Sequence, residues 1–196
     1  MHSQNDEEQV ILEYFGEFRG TFYDIGAWDG KCMSNTYALL ERGWAGVMVE
    51  PAPRSFVGLM ENTEPFRDRV QLVNAAITVE GGLRPFYDCK GDAVATLDIA
   101  HRDKWETHTG KMREMAVNTL SIKDLFATFG AAEFINLDIE GTNAELFGHL
   151  PISLANVRMV CVEHDGHYPE IEAAAAQFGY QRLLLNGENL ILARGA

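Results

Sequence analysis

The sequence predicts an α/β domain: a doubly wound, mostly parallel, seven-stranded sheet ending in a C-terminal antiparallel β-hairpin. Three observations carry this. β-type and helix-type runs alternate along the chain, the pattern of a parallel sheet covered on both faces. The first β-type run breaks into glycines, as the chain does where it turns from strand to helix at a ligand-binding sheet edge. The last apolar runs flank an NGEN turn, a hairpin signature. The 196 residues fit one domain, with no linker, repeat or low-complexity tract.

Each element is read from its local pattern. NDEEQVILEYFGEF is an amphipathic helix, with Asn5 as N-cap, Glu8 three positions on, and Val10, Ile11, Tyr14 and Phe15 on one face. TFYDIGAWDG is a short strand breaking into a glycine turn; Asn35 to Arg42 is a helix closed by Gly43. Ala45 to Glu50 is a second strand, stopped by Pro51 and Pro53, and Arg54 to Asn62 a helix. Val70 to Thr78 reads as one third strand, and RPFYD as a hairpin-like run after Gly81 and Gly82. Residues 89–115 show no clean periodicity, and a segment this long without regular structure is expected to serve as a lid or substrate loop. Ser121 to Phe129 is a capped helix, Phe134 to Asp138 a strand, Asn143 to Leu150 a helix, Val157 to Glu163 a strand, and Tyr168 to Phe178 a helix. Two strands around NGEN finish the chain.

Composition narrows the function classes. Sixteen basic against 29 acidic residues leave a net charge of −13, a field that opposes a phosphate backbone. No nucleic-acid partner is expected; a small molecule or glycan is. No apolar run approaches the roughly 20 residues of a membrane span, and the first residues lack the blocks of a signal peptide. The expectation is a cytoplasmic protein without a membrane partner. Cys32, Cys89 and Cys161 have no CxxC spacing and are read as reduced thiols.

The strand ends carry the chemistry. In Asp24-Ile25-Gly26-Ala27-Trp28-Asp29-Gly30, Gly26 and Gly30 let backbone approach a ligand and Asp24 offers a carboxylate to a cationic group. Alone, this loop fits a plain strand-to-helix turn equally well. GxGxxG would need glycine at positions 28 and 31, which are Trp and Lys, so a NAD site is disfavoured. Glu50 closes the second strand about 25 residues on, where a carboxylate can hold both hydroxyls of a ribose. In Asn74-Ala75-Ala76, small side chains leave room for a flat base and Asn74 can bond its edge; core packing explains the alanines nearly as well. Asp138 and Glu140 alternate onto one side of an extended chain, where like charges raise each other's pKa unless a cation lies between them. Glu163-His164-Asp165 closes the next strand and can converge on the same pocket if the strands are adjacent.

Together these motifs resemble the FkbM family of methyltransferases, a class I, Rossmann-like group, over nearly the whole chain. The densest part is residues 22–53, FYDIGAWDGKCMSNTYALLERGWAGVMVEPAP, where Asp24, Gly26, Ala27, Asp29, Gly30, Ser34, Asn35, Thr36, Trp44, Glu50 and Pro51 fit the family pattern. INLDIEG resembles its second signature, an apolar run closing in D-x-E-G. Trp28 departs from it, standing where the pattern often carries Asn. The resemblance implies S-adenosylmethionine as cofactor. Asp24 and the glycine loop (Gly26, Ala27, Trp28, Asp29, Gly30, with Ser34 beyond) would hold its methionine part. Glu50, followed by Pro51, would hold the ribose, and Asn74 and Ala75 would flank the adenine. The family is associated with O-methylation of hydroxyls, including those of sugars and natural products.

A hydroxyl needs a base to become a nucleophile. Glu140 is the first candidate, His164 the second, and Asp138 is expected to face the cofactor. A magnesium ion held by Asp138 and Glu163 stays open, since hard oxygen ligands suit it but too few are visible in sequence. An N-methyltransferase and a non-catalytic cofactor-binding module are the alternatives. The second would have no use for paired carboxylates at 138 and 140.

Overall fold

The computed structural model describes residues 1–91, 93–154 and 156–195. The chain begins α1 (Glu7–Phe15), β1 (Thr21–Ile25), α2 (Tyr37–Glu41), β2 (Ala45–Val49), α3 (Pro53–Thr63), β3 (Val70–Val73), β4 (Ala76–Thr78) and β5 (Gly82–Asp88). It continues α4 (Ile99–Thr109), β6 (Arg113–Ser121), α5 (Ile122–Phe129), β7 (Phe134–Leu137) and α6 (Asn143–Phe147). It ends β8 (Met159–Glu163), α7 (Tyr168–Ala176), β9 (Tyr180–Leu185) and β10 (Asn189–Arg194). Seven strands form the main sheet in the order β3-β2-β1-β7-β8-β10-β9. The first five are parallel, and β10 runs antiparallel to both β8 and β9. The seven-stranded α/β sheet with its terminal hairpin is therefore as the sequence predicts.

Strand alternation sends apolar side chains to both faces. Tyr23, Ile25, Val49, Ile135, Leu137 and Val160 pack with Leu125, Leu146, Phe147 and Ile171 of α5, α6 and α7. Phe22, Met48, Phe134, Met159 and Ile191 pack on the opposite face with Ile11, Phe15, Leu39 and Leu59 of α1, α2 and α3. Each such side chain, fully buried, contributes roughly 1.5–3 kcal/mol of transfer free energy. No helix among the described residues is long and apolar enough to cross a membrane.

Four expectations need correction. Val70 to Thr78 is two strands: β3 pairs with β2 in the main sheet, whereas β4 pairs with β6 in a separate sheet of order β4-β6-β5. The break falls at Asn74, whose side-chain amide donates to the carbonyls of Glu50 (2.8 Å) and Pro51 (3.2 Å) and so turns the chain off the sheet edge. Strand β6 escaped the sequence reading because its inward positions include the polar Thr119 and Ser121 beside Val117. Residues 89–115 are not without regular structure, for they hold α4. Its sequence, IAHRDKWETHT, lacks an apolar stripe, but Asp98 caps it by accepting from His101 N at 2.8 Å and Gly110 ends it at φ 82°. Finally, Asn5 is not the N-cap of α1. Asn5 N donates to Glu7 Oε2 (2.9 Å), and Glu7, fully buried, also takes the amides of Asn186 and Asn189 at the hairpin.

Candidate active site

The carboxyl ends of β1, β2, β7 and β8 open into one cavity of about 480 Å³. The glycine turn after β1 forms its floor. Gly26 and Ala27 donate to Val49 O at 3.0 and 2.9 Å, and Gly30 N closes the turn on Ala27 O at 2.8 Å. Gly26 sits at φ 91°, and a Cβ there would lie 1.6 Å from Asp138 O. Only glycine permits this backbone-on-backbone contact between the first and fourth parallel strand ends. The sheet order places β7 directly beside β1, which brings the D-x-E-G turn against the glycine turn.

Asp24 faces the cavity yet is 2% exposed. Burial raises its pKa, while Thr36 Oγ1 (2.6 Å) and Asn136 Nδ2 (2.9 Å) donate to the carboxylate and oppose the rise. Asn35 in turn donates to Asn136 Oδ1 at 3.0 Å. The S-N-T run thus orients Asp24. Glu50 lines the cavity with both oxygens already accepting, Oε2 from Trp28 N (3.0 Å) and Oε1 from Ala52 N (2.7 Å). Burial pushes its carboxyl up to about 8, against these two donors. A carboxylate offers about four acceptor positions, so two remain for hydroxyls of a ligand.

The other expected cofactor residues divide into two groups. Trp28, Ser34, Pro51 and Ala75 line the cavity with Gly26 and Ala27. Asp29 instead caps the turn, accepting from Lys31 N (2.9 Å) and Cys32 N (2.7 Å), and Asn74 is bonded to the Glu50 and Pro51 carbonyls. Gly30 packs on the Leu59 side chain, where a Cβ would come within 2.4 Å. These three shape the walls from behind.

At the acidic end, Asp138, Glu140 and Glu163 bring carboxylate oxygens within 4.8 Å of one another. Asp138 and Glu140 do share a side, but not along an extended chain: β7 ends at Leu137 and Glu140 turns left-handed at φ 58°. Its carbonyl accepts from Thr96 Oγ1 at 2.5 Å, and its Oε2 lies 2.8 Å from His101 Nε2 of α4. Burial pulls the His101 imidazole down, but Glu140, with Glu163 and Asp165 beyond it, raises its pKa on balance. Burial, together with the neighbouring negative charges, holds Asp138 and Glu163 well above the usual carboxylate range. Buried Asn143 ties the two turns together. It accepts from Ile139 N (2.9 Å) and donates to Glu163 Oε2 (2.7 Å) and Asp165 Oδ2 (3.2 Å).

His164 is placed differently. Its Nδ1 accepts from Gly166 N (2.9 Å) and its Nε2 faces Asn186 O (3.1 Å), so the ring nitrogens serve the β8–α7 turn and the hairpin turn between β9 and β10. The sequence reading passed over Thr96, Asn136 and Asn143 as partners of the site and placed His101 only within the 89–115 substrate segment, not beside Glu140. Asn136 stood in the INLD run beside Asp138, but none of the four carried a signal of what it would touch.

This sheet order, with the glycine turn after β1 and an acidic residue after β2, defines a Rossmann-like methyltransferase fold. The profile of the Methyltransferase FkbM domain matches residues 24–187. The chain belongs to the FkbM methyltransferase family. Among solved structures it is similar to a methyltransferase FkbM from Methylobacillus flagellatus KT (13% identity, TM-score 0.59, covering 98% of this chain and 56% of that one). It is similar also to a ribosomal protein L11 methylase from Lactobacillus delbrueckii subsp. bulgaricus (14% identity, TM-score 0.54, 97% and 78% covered). A third is the C-terminal domain of precorrin-6Y C5,15-methyltransferase from Rhodobacter capsulatus (13% identity, TM-score 0.50, 94% and 84% covered). At these identities the likeness is one of fold. No curated protein matches the chain.

Proposed function

We propose that the protein transfers the methyl group of S-adenosylmethionine to a hydroxyl of a sugar, glycan or small natural product, in the cytoplasm. One observation carries the O-transfer reading: the Glu140 carboxylate, 2.8 Å from His101 Nε2 and on a residue whose main-chain carbonyl accepts from Thr96, stands at the edge of the cavity beside Asp138 and the glycine turn.

The residues present fit the cofactor. Gly26 and Ala27 line the cavity with their backbone, and Glu50 keeps acceptor positions free beside its two backbone donors. Glu50 would take the ribose hydroxyls, Asp24 and the glycine turn the methionine part, Ala75 the adenine, and Asp138 would face the cofactor. S-adenosylmethionine, when bound, supplies an electrophilic methyl on a sulfonium. The protein's own work is orientation and proton removal. Glu140 would accept the proton of the acceptor hydroxyl, whose oxygen would take the methyl group from the sulfonium, so that the products would be a methyl ether and S-adenosylhomocysteine. Fixing Glu140 through its carbonyl and its carboxylate keeps that base in one position.

A second reading adds a cation. The convergence of three carboxylates within 4.8 Å fits a magnesium ion, which Asp138 and Glu163 would hold and which would lower the pKa of a bound hydroxyl. The acceptor is a small molecule or glycan rather than a nucleic acid, because a net charge of −13 repels a polyanion.

The test is transfer of isotope-labelled methyl from S-adenosylmethionine to a panel of neutral sugars, amino sugars, hydroxylated natural products and amines, with product mass spectrometry, run with magnesium and with chelator. Label in a methyl ether supports the proposal. Label on nitrogen overturns O-transfer, and cofactor binding without any transfer favours a binding module. Loss of activity with chelator alone moves the mechanism to the magnesium reading.

A further inference from the structure

Trp28 is the one residue of the glycine turn that departs from the family pattern, and it holds a costly backbone. Its φ of 49° lies in the left-handed region, uncommon for a bulky side chain and found where surrounding contacts enforce it. Those contacts run in two directions. The main-chain N–H donates to Glu50 Oε2 at 3.0 Å, and the indole Nε1–H donates to Gly91 O at 2.8 Å.

Gly91 belongs to a fastened point of chain. Its N–H donates to Asp88 Oδ1 (2.9 Å), its carbonyl also accepts from Ser55 Oγ (3.2 Å), and Arg54 Nη1 donates to Lys90 O (3.1 Å). Just beyond it, Val94, Ala95 and Leu97 line the same cavity as Gly26 and Trp28. Trp28 therefore touches both sides of the cavity at once: the Glu50 carboxylate through its backbone, and the anchor of the 93–97 wall through its side chain. Asparagine, shorter by the whole indole, could not span from this turn to Gly91 O.

We infer that Trp28 is a positioning residue that clasps the 93–97 wall to the glycine turn and sets how long S-adenosylmethionine or S-adenosylhomocysteine stays bound. The inference rests on reading the cavity as the cofactor pocket. The clasp acts on release because losing the indole bond frees the Gly91 end of the wall, whose other end stays tied through Thr96 to Tyr87 and to Glu140 O. Removing one partly buried hydrogen bond of this kind changes an equilibrium by about 3- to 10-fold.

The test uses S-adenosylhomocysteine with the full chain, Trp28→Phe, which keeps an aromatic ring and loses the N–H, and Trp28→Asn, whose side chain tolerates the left-handed φ and so protects against a folding failure. Dissociation rate and hydrogen exchange are measured together. The expected result is release about 3- to 10-fold faster in both variants, with faster amide exchange in residues 93–97 and unchanged exchange in β1 and β7. Release and exchange equal to the parent's in both variants overturn the clasp. Faster release with 93–97 exchange unchanged also overturns it, showing that the indole acts on the ligand directly. A parent that binds no S-adenosylhomocysteine overturns the cofactor reading, and the retention role with it, which is distinguishable because the parent itself then fails.

Discussion

Glutamine at position 50 removes one acceptor from a carboxylate of the cavity whose two oxygens are both already engaged. Glu50 accepts Trp28 N at 3.0 Å and Ala52 N at 2.7 Å, one on each oxygen. In Glu50→Gln one oxygen becomes an NH₂, so one of these backbone donors meets another donor and the ribose loses an acceptor. Loss of a hydrogen bond to a charged group is worth about 1.5–3 kcal/mol, which corresponds to S-adenosylhomocysteine binding weakened by about 10- to 150-fold. The pH dependence sharpens the test. With its carboxyl at about 8, Glu50 is ionised in only about one molecule in eleven at pH 7. If the ionised form binds the ribose, the parent's affinity should rise by up to about tenfold from pH 7 to pH 9, whereas the glutamine variant lacks that rise. Calorimetry on both proteins at both pH values cancels the ligand's own titration. Equal affinity of parent and variant at pH 9 would refute the ribose assignment; identical pH profiles would refute the raised pKa of Glu50.

Three further outcomes are expected. Once an acceptor is known, Glu140→Gln should keep S-adenosylhomocysteine affinity near the parent's while turnover falls by about 10²–10⁴; Asp138→Asn should damage both, and full turnover in Glu140→Gln would remove it as the base. The melting temperature of the free protein should fall as pH rises from about 5.5 to 8. Glu50 has a folded pKa raised from 4.5 to about 8, so the folded state binds the extra proton in that window and loses that advantage as pH climbs; Asp138 and Glu163, raised likewise, act in the same direction. A flat or rising melting curve over that window would contradict these shifts. Gly26→Ala should cost more than about 3 kcal/mol in a denaturant titration, since both φ 91° and the Asp138 carbonyl at 1.6 Å exclude a Cβ; a variant as stable as the parent would mean that the two turns do not meet.

Much of this architecture was legible because its determinants are local. Buried runs such as TFYDI and AGVMV declare strands by composition alone, and the turns after them declare themselves through glycine and proline. Asp24, Gly26, Glu50, Asp138 and Glu140 could be singled out because parallel strands place their carboxyl ends at one edge of the sheet whatever their order. Where local composition misleads, the reading failed. VQLVNAAIT has no glycine or proline, so the split at Asn74 was invisible, and IAHRDKWETHT offers no stripe, so α4 was passed over as loop.

By itself, then, the sequence determined the α/β sheet, its hairpin and the set of carboxylates at the strand ends, since each follows from periodicity or from spacing within a short segment, while the family followed from resemblance in its motifs. Only the tertiary structure decided what those carboxylates touch. His101 reaches Glu140 across 38 intervening positions of chain, Asn143 bridges Glu163 and Asp165, and both nitrogens of His164 turn to backbone. These pairings depend on strand order and on how two sheets meet, which bring together residues distant in sequence, and no local pattern encodes a contact whose partner lies on another element.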